Sequence, residues 1–271
     1  MNSKIQFYIS SCPNDTFVSY GIVNQKVNLD GFQIEPHYFD IRQLNEIALT
    51  GQADIIKVSS ALLPQLCHLY DVLTSGAALG FNCGPLLIAK SKDIELSSST
   101  KIAIPGKNTT AFKLFKRYYG DSFEFVEMLF SDIEEAIVGG FIDAGLIIHE
   151  NRFTFQNKGL VELTDLGQKW HSETSLPIPL GCFLIHKKWD LKSQLFLDNA
   201  MTESVLYAHD QRDDAMKFVM QFAQTMEYSI AKKHISLYVN DETKRISEQG
   251  KLAIMNLINE ESFKNNCTFV R

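Results

Sequence analysis

The chain has 271 residues, 45% of them hydrophobic and 21% charged, with a formal net charge of −6 at pH 7, enough apolar material for one large core or two modest ones. The acidic balance excludes an electrostatic footprint for nucleic acid or for an anionic membrane surface, and no apolar stretch approaches the roughly 20 residues that cross a bilayer. A small molecule is the partner this leaves.

Residues 4–9 (KIQFYI) alternate in polarity and read as a strand, Pro13 to Asp15 supply a turn and a helix start, and Thr16 to Val23 continue as an apolar helix. A strand near 32–39, a helix near 40–50, a short strand at 54–58 and a helix opened by Ser59 and Ser60 follow. Strands alternating with helices imply a mainly parallel sheet. After Gly84-Pro85 the run PLLIAK reads as a strand leading out of a first lobe. A second unit then shows a buried strand at 101–105, a loop from Gly106 to Thr110, helices at Ala111–Tyr119 and Ser131–Val138, and a buried strand at 144–148 that ends at His149. A helix near 165–173 precedes a stretch at 177–185 that carries the chain back, and 190–260 is helix-rich, with amphipathic stretches at Asp198–Ala208 and Asp241–Ile258. The expected organisation is α/β and two-lobed: residues 1–88 with 186–271 in lobe one, 89–185 in lobe two, and a substrate cleft between them. A single open sheet is the alternative that pattern leaves open.

The five cysteines, Cys12, Cys67, Cys83, Cys182 and Cys267, are scattered, with no CxxC or Cys/His cluster. That spacing predicts reduced thiols in the cytoplasm and no metal site. The N-terminus lacks the apolar core of a secretory signal, which also points to the cytoplasm.

Three strand-to-helix junctions carry polar groups. Around Ser10 to Phe17, Asn14 and Asp15 either cap a helix or reach a ligand, and Cys12 stands near a helix start, where a thiol can become nucleophilic but more often only packs. Ser59, Ser60 and Ala61 follow a strand, and Thr109, Thr110 and Ala111 follow Gly106-Lys107-Asn108. Helix N-termini of this kind bind carboxylates, and are equally often plain caps. The Gly106-Lys107 stretch lacks the spacing of a phosphate-binding P-loop. His149, at the carboxyl end of an apolar strand, can take and return a proton near neutral pH, although a histidine so placed is more often structural. The other histidines show no such setting, and Glu150 could orient the imidazole.

Taken together, Ser10 to Phe17, Lys57-Val58-Ser59, Pro105 to Ala111, Gly145 to Phe153, Leu176 to Gly181 and Tyr238-Val239-Asn240 resemble the 1,4-dihydroxy-6-naphthoate synthases of the futalosine route to menaquinone, across nearly the whole chain. The sequence departs at Ser11, where proline is expected, and at Asn151, where serine is common. The resemblance implies a type II periplasmic-binding-protein-like fold with a central inter-lobe cleft, used for catalysis. It implies a lyase that cleaves cyclic dehypoxanthine futalosine to 1,4-dihydroxy-6-naphthoate and dihydroxyacetone without a cofactor; a monomer or weak homodimer is a separate expectation that the sequence does not fix. His149 would be the base. Ser59, Ser60, Ala61, Thr109, Thr110 and Ala111 would line the substrate site, with Asn14 and Asp15 in a cleft or capping role. Competing readings are a solute-binding protein for a small anionic ligand, chorismate dehydratase of the same pathway, and a regulator's effector domain.

Overall fold

A strand that is apolar almost throughout must be covered on both faces, and the central strands of the first sheet obey that rule. In the computed structural model, which describes residues 3–223, 227–259, 263 and 267–270, the chain opens with β1 (Lys4–Ser10), α1 (Pro13–Val23), β2 (Gln33–Phe39), α2 (Ile41–Thr50), β3 (Ile55–Ser59), a 3-10 turn at Ser60–Leu62, α3 (Leu63–Leu66), β4 (Tyr70–Val72) and β5 (Ala78–Gly80). It continues with β6 (Leu86–Ala89), β7 (Lys101–Ile104), α4 (Thr110–Tyr119), β8 (Glu124–Glu127), α5 (Ile133–Val138), β9 (Ala144–Ile147), 3-10 turns at His149–Phe153 and Phe155–Lys158, β10 (Val161–Asp165) and α6 (Leu166–Thr174). It ends with β11 (Ile178–His186), α7 (Leu191–Asp210), α8 (Arg212–Phe222), α9 (Tyr228–Tyr238), α10 (Asp241–Lys244) and α11 (Glu248–Ile258).

The chain divides into two compact units, residues 1–79 with 179–271, and residues 80–178. The sheet of the first runs β2-β1-β3-β11-β4, with β5 also on β11. Strands β1, β2 and β3 are parallel, whereas β11 returns antiparallel to both β3 and β4. The twofold alternation sends Ile5, Phe7, Ile9 and Ile55 into one core with Phe183 and Ile185, and Ile56, Val58, Cys182 and Leu184 into another on the opposite face. Each such side chain contributes about 1.5–3 kcal/mol by its burial. Helix α1 is buried all round from Pro13 to Ile22 and packs against α7, α8 and α9. At Gly21 a Cβ would sit 2.9 Å from the Ser204 Cα; Ser204 Oγ donates to Val18 O (2.7 Å) and accepts from Ile22 N (2.9 Å), so α1 and α7 are riveted where they come closest.

The second unit holds a five-stranded sheet, β10-β6-β9-β7-β8. Strands β7, β8 and β9 are parallel, and β6 lies antiparallel between β9 and β10. One face packs Leu86, Ile88, Ala103 and Ile147 on Ile133 and Ile137 of α5. Gly145 permits that approach, since a Cβ there would meet Ile133 at 2.5 Å. Phe112, Phe115, Phe123 and Phe125 form a second group in edge-on contacts.

Both sheets are therefore mixed rather than mainly parallel, because the strands that carry the chain between units, β6 and β11, run back against their neighbours. The segment 86–89 hydrogen-bonds to β9 and β10 and belongs to the second unit, and β11 belongs to the first. Hydrogen-bond partnership, which decides that division, leaves no mark on the composition of a short apolar strand.

Candidate active site

In each unit the polar junctions gather at the carboxyl edge of its own sheet, where parallel strands release their chains into loops. In the first unit β1 and β3 are parallel neighbours. Their ends bring the Cys12–Asp15 turn beside Lys57 and Ser59. Cys12 is the N-cap residue of α1, Pro13 opens the helix, and Ser10 Oγ accepts from Cys12 N (3.1 Å). Asn14 and Asp15 therefore lie inside the first turn and do not cap it. Asp15 makes a buried ion pair with Lys57, Nζ to Oδ1 2.7 Å, with the two side chains 6% and 2% exposed. Lys57 Nζ also donates to Gly76 O (2.9 Å) and lies over the Phe183 ring, and Asn14 Nδ2 donates to Asp15 Oδ1 (2.8 Å). Burial pushes the Asp15 carboxyl above its usual range, and the Lys57 charge and hydrogen bond draw it back down.

Ser59 is fixed differently. Asn45 of α2 donates from Nδ2 to Ser59 Oγ (3.0 Å) and accepts from Ser59 N through Oδ1 (2.9 Å). The helix expected after Ser59 is a three-residue 3-10 turn followed by the four-residue α3. Such short pieces carry little macrodipole, so Ser59 and its neighbours Ser60 and Ala61 offer hydroxyl and backbone groups rather than a helix-end field. Ser60 is fully buried, beside the Cys182 thiol, which burial lifts to about 12.

In the second unit β7 and β9 are parallel neighbours, so the loop after Ile104 and the turn after Ile147 leave the same edge. Thr109 caps the ten-residue α4. Its Oγ1 accepts from Phe112 N (3.3 Å) and donates to Gly106 O (2.7 Å), and Thr110 and Ala111 form the buried first turn. Here the helix is long enough for its N-terminus to favour an anion. His149 opens the 3-10 turn with φ +58, and its half-buried ring meets the edge of Phe130, centroids 4.9 Å apart. A left-handed conformation at a non-glycine residue costs roughly 1–3 kcal/mol and persists only where the surroundings enforce it. Glu150 is half-buried, and desolvation lifts its carboxyl above the ordinary value, with the Glu134 charge adding to the rise.

The structure thus assembles Thr109, Thr110, Ala111 and His149 at one sheet edge, and Asn14, Asp15, Ser59 and Ser60 at the other. It adds groups the sequence reading left unassigned: Lys57, Asn45 and Phe130. A lysine inside the apolar strand IIKVS is a sequence signal for a buried cation; nothing local marks Asn45 or Phe130. Among the described residues no group of His, Cys, Asp and Glu is arranged to hold a metal ion, and no helix is long and apolar enough to cross a membrane.

Comparison with known proteins matches residues 6–260 to a family described as menaquinone biosynthesis. The chain is 38% identical to a 1,4-dihydroxy-6-naphthoate synthase of Streptomyces coelicolor, with 94% of this chain and 91% of that protein covered. It is 36% identical to the synthase of the same name from Thermus thermophilus, with 93% and 91% covered. A crystallised protein of Archaeoglobus fulgidus superposes with a TM-score of 0.88 at 32% identity, 97% of each chain covered. The alkanesulfonate-binding protein of Xanthomonas axonopodis shares the fold with a TM-score of 0.65 at 13% identity, covering 87% of this chain and 84% of its own. The architecture is that of the two-lobed periplasmic binding proteins, and the chain belongs to the menaquinone-biosynthesis family.

Proposed function

We propose that the chain is a 1,4-dihydroxy-6-naphthoate synthase, a carbon–carbon lyase that converts cyclic dehypoxanthine futalosine to 1,4-dihydroxy-6-naphthoate and dihydroxyacetone, with His149 as general base. The observation that supports the assignment of the base is an imidazole at the carboxyl edge of a sheet, in a left-handed turn that follows the strand next to the one leading to α4. His149 takes a proton from a hydroxyl of the sugar-derived ring, the carbon–carbon bond breaks, the three-carbon fragment leaves, and formation of the second aromatic ring drives the step. Thr109, Thr110 and Ala111 hold substrate carboxylate or hydroxyls at the edge that carries His149, and at the edge of the first unit Ser59, Ser60 and Ala61 are substrate-binding residues, with Asn14 and Asp15 behind them through Lys57. A cytoplasmic location, action without an added cofactor and a monomeric or weakly dimeric state belong to the same proposal.

The test is incubation of the purified protein with cyclic dehypoxanthine futalosine in buffer containing a chelator, following the naphthoate by absorbance and mass. Product should form at a rate that His149→Asn abolishes while substrate still binds. Binding without product would instead identify a solute-binding protein, and ordinary turnover by His149→Asn would remove the imidazole from the mechanism.

A further inference from the structure

The turn that carries His149 is fastened by a group outside the reacting set. Arg152, three residues on in the same 3-10 turn, donates from Nη2 to Asp165 Oδ2 (2.5 Å) and from Nη1 to Gly84 O (2.8 Å). Its side chain is 17% exposed and that of Asp165 1%. The two acceptors lie at the end of the sheet where β6 begins, Gly84 just before that strand and Asp165 at the end of β10, which pairs with β6. Leu86 at the start of β6 faces Ile147, the last residue of β9, and Asp165, the last residue of β10. One guanidinium therefore ties the turn after β9 to the residue two before β6 and to the end of β10. Asp165 is itself immobilised, since its Oδ1 accepts from Gly167 N (2.8 Å) and Gln168 N (3.1 Å) and so caps α6. Gly84 and Gly167 approach so closely that a Cβ on Gly84 would meet the Gly167 Cα at 2.7 Å. A left-handed histidine needs surroundings that hold it, and a planar fork bonded at both ends to a rigid corner is such a device.

We propose that Arg152 is a positioning residue for His149, with Asp165 as its anchor. This rests on the reading of His149 as the base. The experiment compares the wild type with Arg152→Ala, Arg152→Lys and His149→Asn, measuring kcat, KM and the Cε1 resonance of His149 in protein labelled with 13C-histidine. In Arg152→Ala kcat should fall on the order of 100-fold, as expected for a reacting group misplaced by about 1 Å. KM should stay within about twofold, the signature of an interaction felt only in the transition state. The His149 resonance should move, and millimolar guanidinium should restore part of the lost rate, with none restored in His149→Asn. If Arg152→Ala does not fold, Arg152→Lys decides, because it keeps the charge but cannot span both acceptors; reduced kcat with a displaced resonance supports the clamp. Wild-type kcat with an unmoved resonance in either variant overturns it. A wild-type protein that makes no product would defeat the functional reading instead, and the resonance would still decide whether Arg152 positions the ring.

Discussion

The two sheet edges hold their polar groups in opposite ways. In the first unit Asp15 with Lys57, and Asn45 with Ser59, satisfy one another below the surface, each pair joining two different elements. In the second, His149 is half-buried on a strained backbone and pressed against Phe130, and the fixed groups stand one layer behind it. A satisfied network resists change and gives shape; a partly exposed imidazole on a strained turn is the arrangement the proposed base requires. On the proposed reading, the first edge contributes binding geometry and the second carries the proton chemistry.

The contrast can be broken most directly at its ends. Replacing His149 by asparagine should cut turnover by 100-fold to 10,000-fold, the usual worth of a general base, on the order of 3–5 kcal/mol in the barrier, with an unchanged melting temperature. Asp15→Asn should do the reverse to stability: a buried ammonium loses its counter-charge, a loss of about 3–5 kcal/mol measurable by urea titration. The partner change Lys57→Met should cost less, because Asp15, already raised by burial, can take a proton and become neutral. The sign of its pH dependence follows: the folded state binds that proton more tightly than the unfolded chain, so stability rises as pH falls through the raised pKa and stops rising below about 3.9. A flat pH profile for Lys57→Met would show that Asp15 stays charged. Asn45→Leu should cost about 1–3 kcal/mol by leaving the Ser59 amide without its acceptor, and should raise KM if Ser59 orients substrate. Thr109→Ala, which removes the cap of α4, should cost about 1 kcal/mol of stability, read as a small drop in melting temperature, and should raise KM through its proposed substrate contact.

Local pattern carried the elements well. The strands at the chain start, at 33–39 and at 144–147, and the helices after Asp40 and Thr109 stand within a residue or two of where alternation, caps and turn residues place them. Asp40 has the complete capping box that such a reading relies on. Long-range partnership was not legible. The stretch 241–258 has an unbroken amphipathic rhythm, yet it divides into α10 and α11, because Glu242 turns back to accept from Ser247 N (2.8 Å) and Ser247 caps the second helix. Strands β8 and β10 were missed: EFVE and VELTD are short and half polar, and only pairing with β7 and β6 makes them strands. The candidate residues were visible as junction residues, but their partners were not. Asp15 meets a lysine 42 positions away and Arg152 an aspartate 13 away, across different elements, and no periodicity encodes either meeting. Disposition of the thiols was only partly legible, because burial, which spacing does not encode, holds the Cys83 thiol up at about 11.

The place of β11 between β3 and β4 sets an order of events during synthesis. An emerging chain has β1, β2 and β3 in hand within its first 59 residues, but the strand that closes their open side begins at residue 178. The whole of residues 80–178 leaves the ribosome in that interval and carries every strand of its own sheet. It can therefore fold as an uninterrupted piece while the amino-terminal strands wait with one edge unpaired, the condition in which a chaperone or a nonnative strand has its opportunity.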